Sequence, residues 1–190
     1  KPGADELYGT FVEVLGTAED GPKGTGVDRV QVFDPAHPDV QEEADFDPAT
    51  GTFAITWPIV ADGTLTLCGR GWDKEGNANP ATGPQAYPCV TIRTDVSPPL
   101  PFQALSPSAD AWVGARPTFT WEATTDSPAG LGNYFLQITG QDEIDAGTGT
   151  SYELDDAQSL ADGSYTWTAQ AVDKLGNSRP AANTLSFRVD

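Results

Sequence analysis

Apolar side chains recur at every second position along most of this chain, with polar residues between them. Phe119 and Trp121 open the clearest run, followed by Tyr134, Leu136 and Ile138, then Tyr165, Trp167, Ala169 and Ala171, and finally Leu185, Phe187 and Val189. The first half repeats the habit with Val12 and Val14, Val30 and Val32, Phe53, Ile55 and Trp57, Leu65 and Leu67, and Val90 and Ile92. A period of two is the signature of a strand with one face buried. No segment holds a period of 3.6, so no helix longer than about two turns is expected. Short strands, about five to seven per half, separated by Gly, Pro and Asp turns, predict an all-β sandwich architecture.

The halves are copies. Residues 61–80 read ADGTLTLCGRGWDKEGNANP and residues 161–180 read ADGSYTWTAQAVDKLGNSRP, in register at an offset of 100. A weaker echo pairs Thr17-Ala18-Glu19-Asp20 and Gly24-Thr25-Gly26 with Thr124-Thr125-Asp126 and Gly130-Leu131-Gly132. A repeat of that length is a whole domain and not a solenoid unit. Between the copies lies Thr94-Asp95-Val96-Ser97-Pro98-Pro99-Leu100-Pro101, whose three prolines stiffen the backbone. The expected division is therefore 1–97 and 98–190.

These motifs resemble bacterial Ig-like repeats. The first half carries Gly16-Thr17-Ala18-Glu19-Asp20 with Gly24-Thr25-Gly26-Val27, then Trp72-Asp73-Lys74-Glu75-Gly76-Asn77, then Thr94-Asp95-Val96-Ser97-Pro98-Pro99. The second half is similar to bacterial Ig-like and fibronectin type III-like repeats. It carries Ser106-Pro107-Ser108-Ala109-Asp110, Pro117-Thr118-Phe119-Thr120-Trp121, and Ala169 through Asn177. The resemblance implies two tandem immunoglobulin-like β-sandwich domains of a bacterial secreted or cell-surface protein. Such modules serve as stalks, spacers, adhesins and appendages of secreted enzymes, so the resemblance speaks to fold more than to function. One stretch departs from the pattern: where short central strands are usual, residues 34–50 read DPAHPDVQEEADFDPAT and are expected to form an acidic loop.

Charge narrows the partners. The 190 residues hold 28 Asp and Glu against 10 Lys and Arg, a net charge of −18. The imbalance is spread evenly, at −10 over residues 1–97 and −8 over residues 98–190. Such a chain repels nucleic-acid phosphates and anionic membrane surfaces. No run approaches the roughly 18 apolar residues of a membrane span, and the sequence reads as an excised or processed fragment without a leader of its own. An even acidic surface suits an extracellular module, with salt adaptation or a calcium requirement as alternatives.

Cys68 and Cys89 lack the spacing of a zinc or redox motif. In a turn-rich chain they point to a disulfide and an oxidising compartment. Leu65 and Leu67 set the inward parity of one strand, so Cys68 shares the outer face with Thr66 and Arg70. Val90 and Ile92 do the same for the next, placing Cys89 outward with Thr91 and Arg93. The expected bridge therefore joins neighbouring strands on one outer face and does not cross the core.

Other candidate chemistry has a plainer reading beside it. Asp73 and Asp173 head the two Asp-Lys-x-Gly-Asn segments, where Asp accepts backbone amides and Gly supplies a positive φ. The competing reading makes Asp20, Asp73, Asp95 and Asp173 calcium ligands. The start of a calcium-loop pattern at Asp45-Phe46-Asp47 lacks the following acid and glycine. Trp57, Trp121 and Trp167 have core parity. Trp72 and Trp112 do not: Trp72 shares the face of Thr64, Thr66 and Arg70, Trp112 is expected in a loop after Ser108-Ala109-Asp110, and each can either stack on a sugar or pack at the domain junction. The single histidine, His37, sits between Ala36 and Pro38 in the acidic stretch and is expected at the surface, so neither a His-paired nucleophile nor a multi-His metal centre is expected.

Together these readings give a non-catalytic extracellular pair, a stalk or fibre segment with no obligatory cofactor. Its expected partners are other domains of its parent chain. An adhesin or carbohydrate-binding appendage (meeting a surface protein or glycan), or accessory domains of a secreted hydrolase, stand as alternatives. The connector prolines, with Phe102 and Leu105 seated in the second domain, suggest a stiff, extended, end-to-end pair binding no sugar by itself. Asp95 with acids of the first domain's turns offers calcium a place at the joint.

Overall fold

The computed structural model describes residues 6–21, 24–80 and 86–190. The chain divides into two compact units, Lys1–Val96 and Ser97–Asp190. Every element in the described residues is a strand.

The first unit runs β1 (Leu7–Tyr8), β2 (Phe11–Thr17), β3 (Val27–Asp34), β4 (His37–Glu43), β5 (Asp45–Asp47), β6 (Thr52–Pro58), β7 (Gly63–Asp73) and β8 (Cys89–Thr94). They form a five-stranded sheet in the order β1-β8-β7-β3-β4, facing a three-stranded sheet in the order β2-β6-β5. β1 pairs in parallel with β8, and the other pairings are antiparallel. The inward residues of both sheets meet as Val12, Val14, Val32, Trp57, Leu67 and Ile92, all buried. All six are among the positions that alternation singled out, with Phe53, Ile55, Leu65 and Val90 partly buried against them and Ile59 joining without an alternation to mark it. Burying such a set against a second sheet is what each strand's apolar face requires.

The second unit repeats the plan with β9 (Ala104–Ser106), β10 (Ala111–Val113), β11 (Thr118–Trp121), β12 (Leu131–Ile138), β13 (Ile144–Gly147), β14 (Ser151–Glu153), β15 (Gly163–Asp173), β16 (Ser178–Pro180) and β17 (Leu185–Val189). The larger sheet is ordered β10-β17-β15-β12-β13 with β16 added to β15, and the smaller is β14-β11-β9. β10 pairs in parallel with β17, as β1 does with β8. β7 and β15, the strands of the 100-residue repeat, hold the same central place between their neighbours. The second core is aromatic where the first is aliphatic. Phe119 packs edge-on to Trp167 at 4.9 Å and to Phe187 at 5.7 Å, and the Trp167 indole N–H donates to the Pro107 carbonyl.

Four expectations are corrected. Residues 34–50 are not a loop: they supply β4 and β5. β4 pairs with β3 through Gln31↔Glu43, Val32↔Glu42 and Phe33↔Gln41. Buried Ala44 then carries the chain across, so that β5 pairs with β6 in the opposite sheet. All of β4 is exposed, so no alternation marks it, and acidic side chains on an edge strand deter further pairing. Strands number eight and nine among the described residues, above the expected five to seven, because two- and three-residue edge strands leave no period to read. Trp112 lies in strand β10 and not in a loop. Phe102 is buried in the second core, but Leu105 is 49% exposed, because it occupies the outward parity of β9.

Candidate functional site

The residues that recur between the units build one corner twice. In the first unit, Asp73 accepts hydrogen bonds from Glu75 N–H at 2.9 Å, Asn77 N–H at 2.8 Å and the Asn77 side-chain amide at 2.8 Å. Gly76 turns the chain at φ +87°. In the second, Asp173 accepts from Leu175 N–H at 2.8 Å, Asn177 N–H at 2.8 Å and the Asn177 amide at 2.7 Å, with Gly176 at φ +90°. The strand ahead is tied to the same corner. Lys74 N–H donates to the Gly26 carbonyl and Lys174 N–H to the Gly130 carbonyl. Gly26 and Gly130 are held in turn by Asp20 Oδ2 at 2.9 Å and Asp126 Oδ2 at 3.0 Å. The repeat Asp…Gly…Asp-Lys-x-Gly-Asn is thus a hydrogen-bonded device that fixes the end of β7 or β15 against the start of β3 or β12.

This settles where the candidate calcium ligands stand. Asp20 and Asp73 carry the corner of the first unit, and Asp173 that of the second. The Asn77 side-chain amide, with the Asn77 N–H, holds the Asp73 carboxyl below the usual carboxylate range. Asp126, which the sequence reading named only in the weaker echo of Thr17-Ala18-Glu19-Asp20, has a carboxylate oxygen within 4.8 Å of one of Asp173. Asp173 is buried and Asp126 half-buried, a proximity set by the β12–β15 pairing and therefore absent from any local motif. Asp95 is buried after β8, and its N–H donates to the Tyr8 carbonyl. Asp47 heads a turn of its own: the Ala49 N–H and the Thr50 hydroxyl lower its carboxyl.

Cys68 and Cys89 are bonded. They are direct cross-strand neighbours of β7 and β8, their Cα atoms 4.0 Å apart, on the face that carries Thr66 and Arg70. Cys68 is nonetheless buried, while Cys89 is exposed. The reason is a second layer that parity did not foresee: Phe33 sits beside Cys68 in register, faces outward with it, and is only 7% exposed. Tyr87 packs edge-on to Phe33 at 5.1 Å. Arg70 lies over Phe33 at 4.9 Å, over Tyr87 at 5.0 Å and near the Trp72 ring at 5.8 Å, and Arg29 covers Trp72 at 4.6 Å. Trp72 is therefore half-buried among guanidinium groups. Trp112 is 64% exposed, with Arg188 5.4 Å from its ring centre. The sequence contained one hint of the covered face. Val32 and Phe33 are apolar in succession, which a half-buried strand does not allow.

His37 is exposed, and its Nδ1 lies 2.7 Å from Asp34 Oδ2. Burial acts to raise the Asp34 carboxyl, but the His37 and Ala36 hydrogen bonds outweigh it and hold the group below its ordinary value. An open hollow of about 500 Å³ beside the first corner is lined by Glu19, Asp20, Phe46 and Lys74 among others. No helix in the described residues is long and apolar enough to cross a membrane.

Several solved structures resemble this chain at low identity. The fibronectin(III)-like modules of Clostridium thermocellum CbhA align over 100% of this chain and 91% of their own, at 17% identity and a TM-score of 0.49. The FN1–FN3 domains of chicken CNTN1 align over 96% of this chain and 64% of their own, at 10% identity and a TM-score of 0.49. A tetra-tandem repeat from the extending region of a large adhesion protein covers 94% of this chain and 45% of its own, at 21% identity and a TM-score of 0.31. No curated protein sequence matches the chain. Residues 113–190, most of the second unit, match the model of the bacterial Ig-like domain family, and the first unit repeats that unit's two-sheet plan.

Proposed function

We propose that this chain is a non-catalytic spacer, a stalk or fibre segment that carries other domains of its parent protein outside the bacterial cell. Ig/fibronectin type III-like domains are typical of extracellular modular proteins. One observation supports the finer reading. The residues that recur between the units (Asp73, Gly76 and Asn77, and Asp173, Gly176 and Asn177) are engaged in closing the same backbone corner. What the repeat preserves is a mechanical joint between strands, and each unit has its own core to resist extension. The disulfide and the even acidic surface suit an oxidising exterior.

Force spectroscopy on the whole chain, pulled from its termini, tests this. A spacer gives two separate unfolding events. The event of the first unit is shorter by the 21-residue span that the disulfide keeps closed, about 70 Å of extended chain. Addition of dithiothreitol lengthens it by that amount. A chain that extends without resolved force peaks is no load-bearing spacer. Repeating the pull with and without a chelator reports whether calcium contributes.

A further inference from the structure

We propose that the outer face of the β3–β7 pair in the first unit is a binding surface for a carboxylate-bearing polysaccharide, a polyuronate. The proposal is independent of the spacer reading, since a spacer with or without such a face is mechanically the same.

Three of the six bases among the first 97 residues, Arg29, Arg70 and Arg93, stand on this one face. The same 97 residues contain 16 acids, yet among the described residues the ion pairing of these three arginines is confined to a loose contact of 3.8 Å between Arg29 and Asp28, both about half exposed. Arg70 and Arg93 form no salt bridge among the described residues, although Glu43 faces the same side in the row of Gln31 and Arg70. The Arg70 Nε is buried without a hydrogen-bond partner. In a chain of net charge −18, three guanidinium groups on one face, two of them without an ion pair among the described residues, are complementary to an anion.

The stacking gives the chemistry of the occupant. Trp72, Phe33 and Tyr87 cover the faces of the guanidinium groups and are covered by them. A stacked guanidinium keeps its in-plane N–H edge for an acceptor, and the two-pronged geometry of that edge matches a carboxylate. Rings already capped by guanidinium leave no apolar socket for a peptide side chain. Around them lie Thr66 and Thr91, hydroxyl to hydroxyl at 2.8 Å, and Gln31 in register with Arg70. Hydroxyls, an amide and forked cations across a flat strand face suit a polymer with a hydroxyl and a carboxylate on each unit. Repulsion between that polymer and the acidic remainder of the chain fades beyond a Debye length of about 8 Å at physiological salt. Binding then depends on the contact itself.

The test titrates the whole chain with oligogalacturonate, with neutral dextran and poly-glutamate in parallel, by calorimetry. Saturable binding of oligogalacturonate alone is expected, weakened about tenfold or more by Arg70→Gln and unchanged by Trp112→Ala in the other unit. Absence of binding overturns the proposal, and so does dextran binding of equal strength. Poly-glutamate binding as tightly would assign the face to an acidic peptide instead. Should Arg70→Gln lower the unfolding temperature, the exposed Arg29→Gln and Arg93→Gln decide. An affinity unmoved by both refutes the proposal, and a loss in either supports it.

Discussion

Reduction of the Cys68–Cys89 bond should destabilise the first unit and leave the second untouched. The bond spans 21 residues, from β7 to the start of β8. In the chain-entropy model, closing a loop of that size removes denatured-state freedom worth about 3 kcal/mol. Reduction keeps both sulfur atoms in place, so Cys68 retains its buried packing beside Phe33 and the link alone is lost. Urea slopes for small domains are about 1–3 kcal/mol per molar. The midpoint of the first unit should therefore fall by roughly 1–3 M. Hydrogen exchange with peptide resolution, on the whole chain with and without dithiothreitol, separates the units. The second has no cysteine and serves as the internal control. An unchanged first unit would show that the strands already restrict the reduced denatured state. An equal loss in both units would show that they unfold as one, against the separate cores seen here.

Two glycines of the second unit should fail for different reasons. A Cβ on Gly132 would stand 2.9 Å from the Asp173 carbonyl and 3.0 Å from that of Val172, both rigid backbone, so Gly132→Ala should cost about 1–3 kcal/mol by overpacking. At Gly176 nothing lies within 4 Å and only the φ of +90° resists, so Gly176→Ala should cost about 1–2 kcal/mol, and Gly176→Asn less, as thermal melts will show. Acidification should also act on the first unit. Asp34, Asp47 and Asp73 are all held below 3.8 in the folded state, so their contribution is complete above that value and is lost as pH falls through the lower folded pKa values. Unfolding at pH 5 and pH 2.5 measures it, and Asp73→Asn should flatten the dependence; an unchanged slope would remove Asp73 from the account.

Legibility in the sequence followed how local the physics was. β15 could be read because Trp167, Ala169 and Ala171 meet one core while Thr166 and Thr168 face away from it. The Asp-Lys-x-Gly-Asn corner could be read because a carboxylate and the amides two and four residues ahead of it need no distant partner. β4 could not, since a strand exposed on both sides obeys no alternation. Neither the approach of Asp126 to Asp173 nor the layer over Cys68 is local. Tyr87 reaches Phe33 from 54 positions away in the chain. That layer is also where parity and burial disagree most. Phe33 is outward yet buried, and Trp72 is outward yet half-covered. Natural chains break their own patterning mainly where something other than folding is being served. A layer that only shielded the disulfide would have been satisfied by the aromatic rings. It would not have required Arg29 and Arg70 stacked on those rings, with Arg93 on the same face, in a unit carrying ten more acids than bases. The guanidinium groups there are where a function beyond folding should be sought first.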